Sequence, residues 1–393
     1  MRFVPSAFHH VLEPLERRVL KRIVVRHGGN HGVGEGDRAW TCQRHLKAML
    51  FGQFAGLNSL REIEQGLAAA PQALYHLNLR AAARSTLSDA QAHRPAEVYR
   101  DIAQWLMEQA SRVLRREARE LIQLIDASPI PLRDPRFAWA EASSRTRGLK
   151  LHIGYDPRND VPSWIDLTSA KVNDIVAARA APITAGAVYV FDKGYADYSW
   201  WNGIHEQGAL FVSRLKSNAH RRPIKARAPK GNGILADNDI KLGHAKPRGG
   251  AVNPLHDVPL RELLVEREGN EPMLLVTNDL TRSASEIAEL YKERWQIELL
   301  FKWIKQNLKI KRFLGRSENA VRSQIYIALI AFLLLRLFRQ AHASSHKQGA
   351  KALVARLKVA LFGRFDLSNR AVGPPRHPAQ LPPSPQLALD LTL

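Results

Sequence analysis

The spacing of apolar positions divides the chain into three stretches. From the start to about residue 118 the apolar residues recur at intervals of three and four, the mark of amphipathic helices. LKAMLFGQFAGL (46–57), SLREIEQGLAA (59–69) and AEVYRDIAQWLMEQASRVLRREARELIQL (96–124) carry that pattern. HGGNHGVGEGD (27–37) interrupts it, and with no strand before it and no helix of the right spacing after it, this reads as a loop rather than a phosphate cradle. After residue 120 short apolar runs and partial alternation take over, as in half-buried strands. ELIQLIDAS (120–128), LKLHIGYD (149–156), VPSWIDLTS (161–169), AVYVFDKGY (187–195), ALFVSRLKS (209–217) and MLLVTND (273–279) are the predicted strands, with a helix at VNDIVAARAAP (172–182). Residues 218–270 are poor in helix signal. A long helix then starts near Ser283 and Ser285, either of which can cap it. Further helices run to about residue 362, and from Gly373 a proline-rich tail is predicted to be disordered.

These elements predict an α/β protein. Two of the strands end in an acid, Asp126 and Asp192, and a helix downstream carries Glu298. That order suits a ribonuclease H-like sheet, in which the first and fourth strands lie side by side and would bring Asp126 next to Asp192. The expected organisation is a helical N-terminal domain (1–118) and a core in two parts (119–217 and 273–335) around a mostly β insertion (218–272). A basic helical region (336–372) and the tail (373–393) follow.

The helix YKERWQIELLFKWIK (291–305) is apolar enough for a core yet strongly charged. At about 100° per residue, with Tyr291 at zero, Arg294 falls at about −60°, Glu298 at about −20° and Lys305 at about −40°. These four share one stripe, and Glu293 lies on the other side, at about 200°. A solvated face with an Arg294–Glu298 ion pair explains the stripe as readily as a site does. The two strand acids change that balance. A carboxylate at the end of a buried strand costs desolvation unless something compensates it, and strand ends are where α/β proteins build sites. Three carboxylates suit a hard divalent cation, and two such ions suit phosphoryl transfer.

Charge points the same way. The 393 residues hold 58 Lys and Arg against 37 Asp and Glu, a net +21 with a pI near 10.4. Such an excess calls for a polyanionic partner. The longest apolar run, Ile325 to Leu335, is too short for a bilayer span of about 20 residues, so a membrane partner is not expected and nucleic acid becomes the default. The N-terminal segment lacks the apolar stretch of a signal peptide. The single cysteine, Cys42, rules out an intrachain disulfide and fits a reducing compartment. Lys302 to Arg376 holds sixteen Lys and Arg against two acids, and Arg214, Lys216, Arg221, Arg222, Lys225, Arg227 and Lys230 form a second run without any acid. ARSTLSDAQAHR (83–94) has side chains able to contact bases, and equally suits the surface of a helical bundle. Trp200, Trp201 and Trp303 are expected to pack in the core rather than stack on bases.

The chain resembles the DDE transposases of bacterial insertion sequences, in the family numbered four. Its signature is Tyr, two residues, Arg, three residues, Glu, six residues, Lys, and Tyr291, Arg294, Glu298 and Lys305 match every spacing. The second acid of the family sits in Asp-Arg-Gly-Tyr or a close variant; here it is Asp192-Lys193-Gly194-Tyr195, a departure that keeps the charge. FVSRLKSN (211–218) resembles the family's following strand and basic loop. Asp126, with Lys150 and His152, fits the first-acid region less specifically. LREIEQGL (60–67), LYHLNL (74–79) and ARSTLSDA (83–90) resemble the amino-terminal domain of one branch. The resemblance spans about residues 15 to 335.

It implies a catalytic set of Asp126, Asp192 and Glu298 holding two Mg²⁺ ions, with Mn²⁺ as a substitute. It also implies DNA contacts by Tyr291, Arg294 and Lys305, to which the basic run adds Arg214 and Lys216, and Lys193 beside the second acid. The expected activity is cleavage of double-stranded DNA at transposon ends and joining to target DNA by a DNA-bound homodimer. The expected place is the cytoplasm of a bacterium, with the nucleoid. A nuclease that hydrolyses without strand transfer, or a non-catalytic DNA-binding protein, would share many of these features.

Overall fold

Nine strands form one sheet in a computed structural model of the chain. It describes residues 5–114, 120–141, 147–246, 251–308, 310, 312–341, 355, 357, 359 and 361–363. The strands are β1 (Ile122–Pro131), β2 (Gly148–Asp156), β3 (Val161–Ser169), β4 (Val188–Phe191), β5 (Leu210–Arg214), β6 (Arg221–Arg227), β7 (Ile234–Leu242), β8 (Leu260–Arg267) and β9 (Asn270–Thr277). Their order is β3-β2-β1-β4-β5-β9-β8-β7-β6. β1, β4 and β5 pair in parallel, and every other neighbour is antiparallel. Parallel neighbours need crossover connections. Here the connections carry α8 (Asp174–Ala178), before β4, and α9 (Tyr198–Glu206), between β4 and β5. The first and fourth strands are therefore adjacent, as expected.

Side-chain alternation gives the sheet two buried faces. Leu124, Val188, Val190 and Val212 face one core; Ile125, Tyr189, Phe191 and Phe211 face the other. Trp200 and Trp201 of α9 fill the second core, and Trp201 is fully buried. Trp303 packs edge-on to Phe332 at 5.2 Å. All three tryptophans serve packing.

The first core is shared with helices from both ends of the chain. The N-terminal part forms α1 (Ala7–Leu12), α2 (Arg17–Arg26), α3 (Cys42–Ala55), α4 (Leu60–Ala68), α5 (Pro71–Tyr75), α6 (Arg84–His93) and α7 (Ala96–Leu114). Ser59 caps α4 by accepting from Glu62 N, and Gly56, at φ 74°, ends α3 in a left-handed turn that suits glycine. These helices pack around α12 (Glu318–Ala341), whose residues are buried on nearly every side. A helix that is apolar all round belongs in an interior. The run Ile325–Leu335 thus sits in a longer helix than the sequence pattern indicated. α12 is the one described helix long and apolar enough to cross a membrane, but 89% of its apolar window is buried inside the protein. At the other end, Phe8 N donates to Leu361 O at 2.9 Å, and Phe362 stacks on Phe51 at 5.2 Å.

Several elements differ from their sequence pattern. The helical periodicity of 96–124 gives way sooner, because Ile122 already pairs with Val188 in the sheet. β1 does not stop at Asp126: it continues to Pro131, held by antiparallel pairing with β2. The residues of 218–272 are mostly β, and their strands extend the core sheet, since β5 pairs with β9. The long helix from Ser283 is two helices, α10 (Ala284–Glu293) and α11 (Trp295–Asn307), broken at Arg294. Most of the basic region expected at 336–372, and the whole tail, lie outside the described residues.

Candidate active site

Strand register brings the two aspartates together. The β1–β4 ladder runs from Ile122↔Val188 to Leu124↔Val190. Two residues further along each strand stand Asp126 and Asp192, on the face of Leu124 and Val190. Asp126 is therefore not at the end of its strand but just past the end of the parallel ladder. Asp192 precedes a 3-10 turn at Lys193–Tyr195, yet its carboxylate makes no capping hydrogen bond there. It accepts instead from Tyr291 Oη at 3.1 Å and lies 4.0 Å from Arg214 Nη1. Asp126 Oδ1 accepts from Ala127 N at 2.8 Å.

α10 and α11 cover that same face. A capping box fixes the start of α10: Ser283 Oγ accepts from Glu286 N, and the Glu286 side chain accepts from Ser283 N. Tyr291 is buried near its far end. At the break, Arg294 N donates to Tyr291 O at 3.1 Å, a tighter turn between α10 and α11. The Arg294 guanidinium lies 5.9 Å from the Tyr291 ring centroid and pairs with Glu298 Oε1 at 2.7 Å. Lys305 Nζ donates to Ser128 Oγ at 2.6 Å, two residues along β1 from Asp126. All four residues of the stripe thus face β1 and the end of β4. The ion pair that a solvated face would have is present too, but it stands beside the strand acids rather than in open water. Glu293 points elsewhere, toward Arg158 and Asp156.

The carboxylates feel one another. Burial pushes the Asp126 carboxyl up to about 6, and the charges of Glu298 and Asp174 push the same way; the Ala127 N–H and Arg294 oppose them. Tyr195 is also raised, by burial first and then by Asp126, Asp174 and Asp192, and its hydroxyl is buried without a hydrogen-bond partner. Asp174 is paired with Lys150 Nζ at 2.8 Å. Neither Asp174 nor Tyr195 stood out as a site residue in the sequence. An acid in the first turn of a helix reads as a complement to the helix dipole, and Tyr195 entered only as the last residue of the Asp192-Lys193-Gly194-Tyr195 motif. Lys193 and Lys216 are exposed, and Arg214 is one-third exposed.

The donor chemistry fits a hard divalent cation: carboxylate oxygens, with ionised Asp126 destabilised by burial and then by negative neighbours, both of which a cation would offset. The arrangement is not closed around one point. Among the described residues no three His, Cys, Asp or Glu side chains lie close enough to hold an ion together. Asp126 and Asp192 are in register, while Glu298 is held by Arg294.

Comparison with known proteins gives the family. A family model described as a transposase DDE domain matches residues 117–334, and a domain of unknown function, DUF4372, matches residues 5–80. A putative transposase, y4zB, of Sinorhizobium fredii is 45% identical over 254 residues, covering 64% of this chain and 70% of that protein. A probable transposase for insertion sequence element IS5377 of Geobacillus stearothermophilus is 26% identical, over 64% of this chain and 66% of its own. A putative transposase for element IS4SA of Synechocystis is 26% identical over 64% and 71%. Among solved structures, a cryo-EM structure of the piggyBac transposase synaptic complex with hairpin DNA covers 92% of this chain and 81% of that one. Its TM-score is 0.49 at 8% identity, too slight a likeness to carry an inference.

Proposed function

The chain belongs to the transposases with a DDE domain, and from that premise we propose that Asp126, Asp192 and Glu298 are its catalytic acids. In this reading it binds the terminal inverted repeats of an insertion sequence, cuts the DNA there and joins the freed 3′-OH to target DNA. The observation that carries the assignment is the register of β1 and β4. It sets Asp126 and Asp192 side by side on the face over which α11 carries Glu298. The strand order β3-β2-β1-β4-β5, with β1, β4 and β5 parallel, supports a ribonuclease H-like core extended by β9, β8, β7 and β6.

Asp126 and Asp192 would hold divalent cations, Mg²⁺ by preference with Mn²⁺ as a substitute, and Glu298 would complete the set. Such ions lower the pKa of water and stabilise charge on both the attacking and leaving oxygens. The protein's own residues do the positioning. Tyr291 fixes the Asp192 carboxylate through its hydroxyl, 3.1 Å away. Arg294 can offer a fork of N–H groups to a DNA phosphate, and Lys305 a point charge. Arg214, 4.0 Å from Asp192, its neighbour Lys193 and the exposed Lys216 would add phosphate contacts. A phosphate that engages Arg294 competes with its ion pair and frees Glu298 to turn toward the aspartates. Cutting two ends and joining them to one target needs two such sites, so the working species is a DNA-bound homodimer.

The test is incubation of purified protein with the ends of its own gene and Mg²⁺. Cleavage at the repeat boundary is expected. Asp126→Ala, Asp192→Ala and Glu298→Ala should each remove cleavage while end binding in EDTA persists. A Glu298→Ala protein that still cuts would remove Glu298 from the set.

A further inference from the structure

A trough of about 1710 Å³ has Lys305 in its lining, the residue whose Nζ donates to Ser128 Oγ. One wall is α6 with the start of α4; the other is the end of β1, the segment after it, Ile310 and residues 312–316. α6 turns Arg84, Ser85, Ser88, Asp89, Ala92 and His93 into the trough. The spacing i, i+1, i+4, i+5, i+8, i+9 is one face of a helix. Leu87, Ala90 and Gln91, on the opposite face, are buried. The presented face is polar and short: ten residues make a rod about 15 Å long, and the major groove of DNA, about 12 Å wide, admits a helix.

The charge of the trough is one-sided. It holds two acids: Asp89, which lies 2.9 Å from His93 Nδ1, and Asp134, which is paired with Arg136. Arg61 on one wall, with Arg133, Arg312 and Arg316 on the other, outnumber those acids with exposed positive charge. Such a distribution suits two strands of phosphate on either side of an inserted helix.

α6 is also fixed to the core. Asn319, at the start of α12, donates from Nδ2 to the carbonyls of Gln91 (3.0 Å), Ala92 (3.2 Å) and Arg94 (2.8 Å), and its Oδ1 accepts from Ala96 N at 2.9 Å. One side chain thus holds the end of α6 and the start of α7 against the catalytic unit. A duplex lying on α6 is led toward Lys305 and Ser128, and Ser128 is roughly 7 Å along β1 from Asp126 at the rise of a strand.

Resting on the transposase reading, we propose that this trough seats the terminal duplex of the element, with the exposed face of α6 reading bases in the major groove and the flanking arginines gripping its backbone. Binding is measured in EDTA, where no cutting intervenes, with two probes: a duplex of the gene's own terminal repeat and a scrambled duplex of equal length. For Arg84→Ala/Ser88→Ala the expected result is a roughly 5- to 150-fold weaker affinity for the repeat, with the scrambled duplex bound within about twofold of the parent's level. For Arg133→Ala/Arg312→Ala both duplexes should weaken together, and the slope of log affinity against log salt should fall by roughly 1.8. All four positions are exposed, so an unchanged melting temperature confirms that folding is intact. If the α6 variant keeps the parent's preference for the repeat while the parent cuts at its boundary, the inference is overturned and the transposase reading stands. An unchanged salt slope in the arginine variant likewise overturns it. A parent protein that binds both duplexes alike overturns both.

Discussion

Replacing Asp126 by Asn should make the metal-free protein more stable while removing its activity. A carboxyl raised from 3.8 to about 6 costs the folded state about 3 kcal/mol when ionised. The sign follows from the direction. Below about pH 4 the group is protonated in both states and costs nothing. Between about 4 and 6 the folded state holds a proton that the unfolded state has lost, so stability falls as pH rises. Above about 6 the full penalty is present. Asn carries no charge, and its amide oxygen can still accept the Ala127 N–H that Asp126 Oδ1 accepts at 2.8 Å. The variant should therefore match the parent near pH 4 and exceed it by about 3 kcal/mol above pH 6. With about 2 cal/mol/K of unfolding entropy per residue, that is roughly 4 °C in melting temperature.

The assay is calorimetry of both proteins from pH 4 to pH 8 in EDTA, plotted as a difference so that other titrations cancel. Millimolar Mg²⁺ at pH 7.5 should then shrink the gap, because a cation bound by the aspartates stabilises the parent and not the variant. A difference below about 1 °C at pH 7.5 would refute the cost of holding Asp126 ionised in its buried place beside Glu298 and Asp174, taking the slope of roughly 4 °C per 3 kcal/mol. So would a difference that does not change with pH.

Two further outcomes are expected. Arg294→Gln should raise Mn²⁺ affinity without DNA by roughly 1.4- to 5-fold, the worth of a partly exposed ion pair, because Glu298 is released from its 2.7 Å contact; an electron-spin-resonance titration showing equal or weaker binding would count against the competition. Arg261→Met should destabilise the protein by about 3–5 kcal/mol, since it strands Asp237, bonded at 2.8 and 2.6 Å with both side chains 4% exposed; the Arg261→Met/Asp237→Leu double variant should recover most of the loss, and urea midpoints that do not recover would place the role of the pair elsewhere.

Local pattern made some of the site legible and left other parts hidden, for reasons that the structure supplies. Asp192 follows four consecutive buried residues, Val188–Phe191, so its place at the end of an interior strand is written into the chain. The face taken by Tyr291, Arg294, Glu298 and Lys305 follows from helical spacing and survives the break at Arg294, because Arg294 keeps right-handed helical dihedrals (φ −49°, ψ −32°) between the two helices. The break itself has no local signal: no proline or glycine lies between Tyr291 and Lys305. Asp126 looked like a strand end because Pro129 and Pro131 follow it. Both lie beyond the β4 ladder, which stops at Leu124, so that side of β1 is an edge where prolines are tolerated. Pairing between distant strands is invisible to local periodicity, and for that reason the joining of β5 to β9 could not be foreseen. The clamp of Asn319 on α6 spans more than two hundred residues and is equally hidden.

The charges around the acids explain why a site of this kind waits for both of its ligands. Asp192 lies near Arg214, Glu298 is paired with Arg294, and Asp174 with Lys150. Among the described residues Asp126 makes no ion pair of its own, and it is the carboxyl pushed up to about 6. A DNA phosphate arriving alone would draw Arg294 and Lys305 to itself and leave more negative charge behind. A divalent cation arriving alone would draw the carboxylates and leave the arginines unmatched. Each ligand therefore creates the charge that the other neutralises, and the coupling is reciprocal: whatever factor the cation adds to DNA affinity, DNA adds to cation affinity. The β1–β4 register provides two acids in fixed positions. Glu298, the proposed third, rides on a helix that begins just after its ion-pair partner Arg294, so on the proposed reading the carboxylate set would close after phosphate arrives rather than before it.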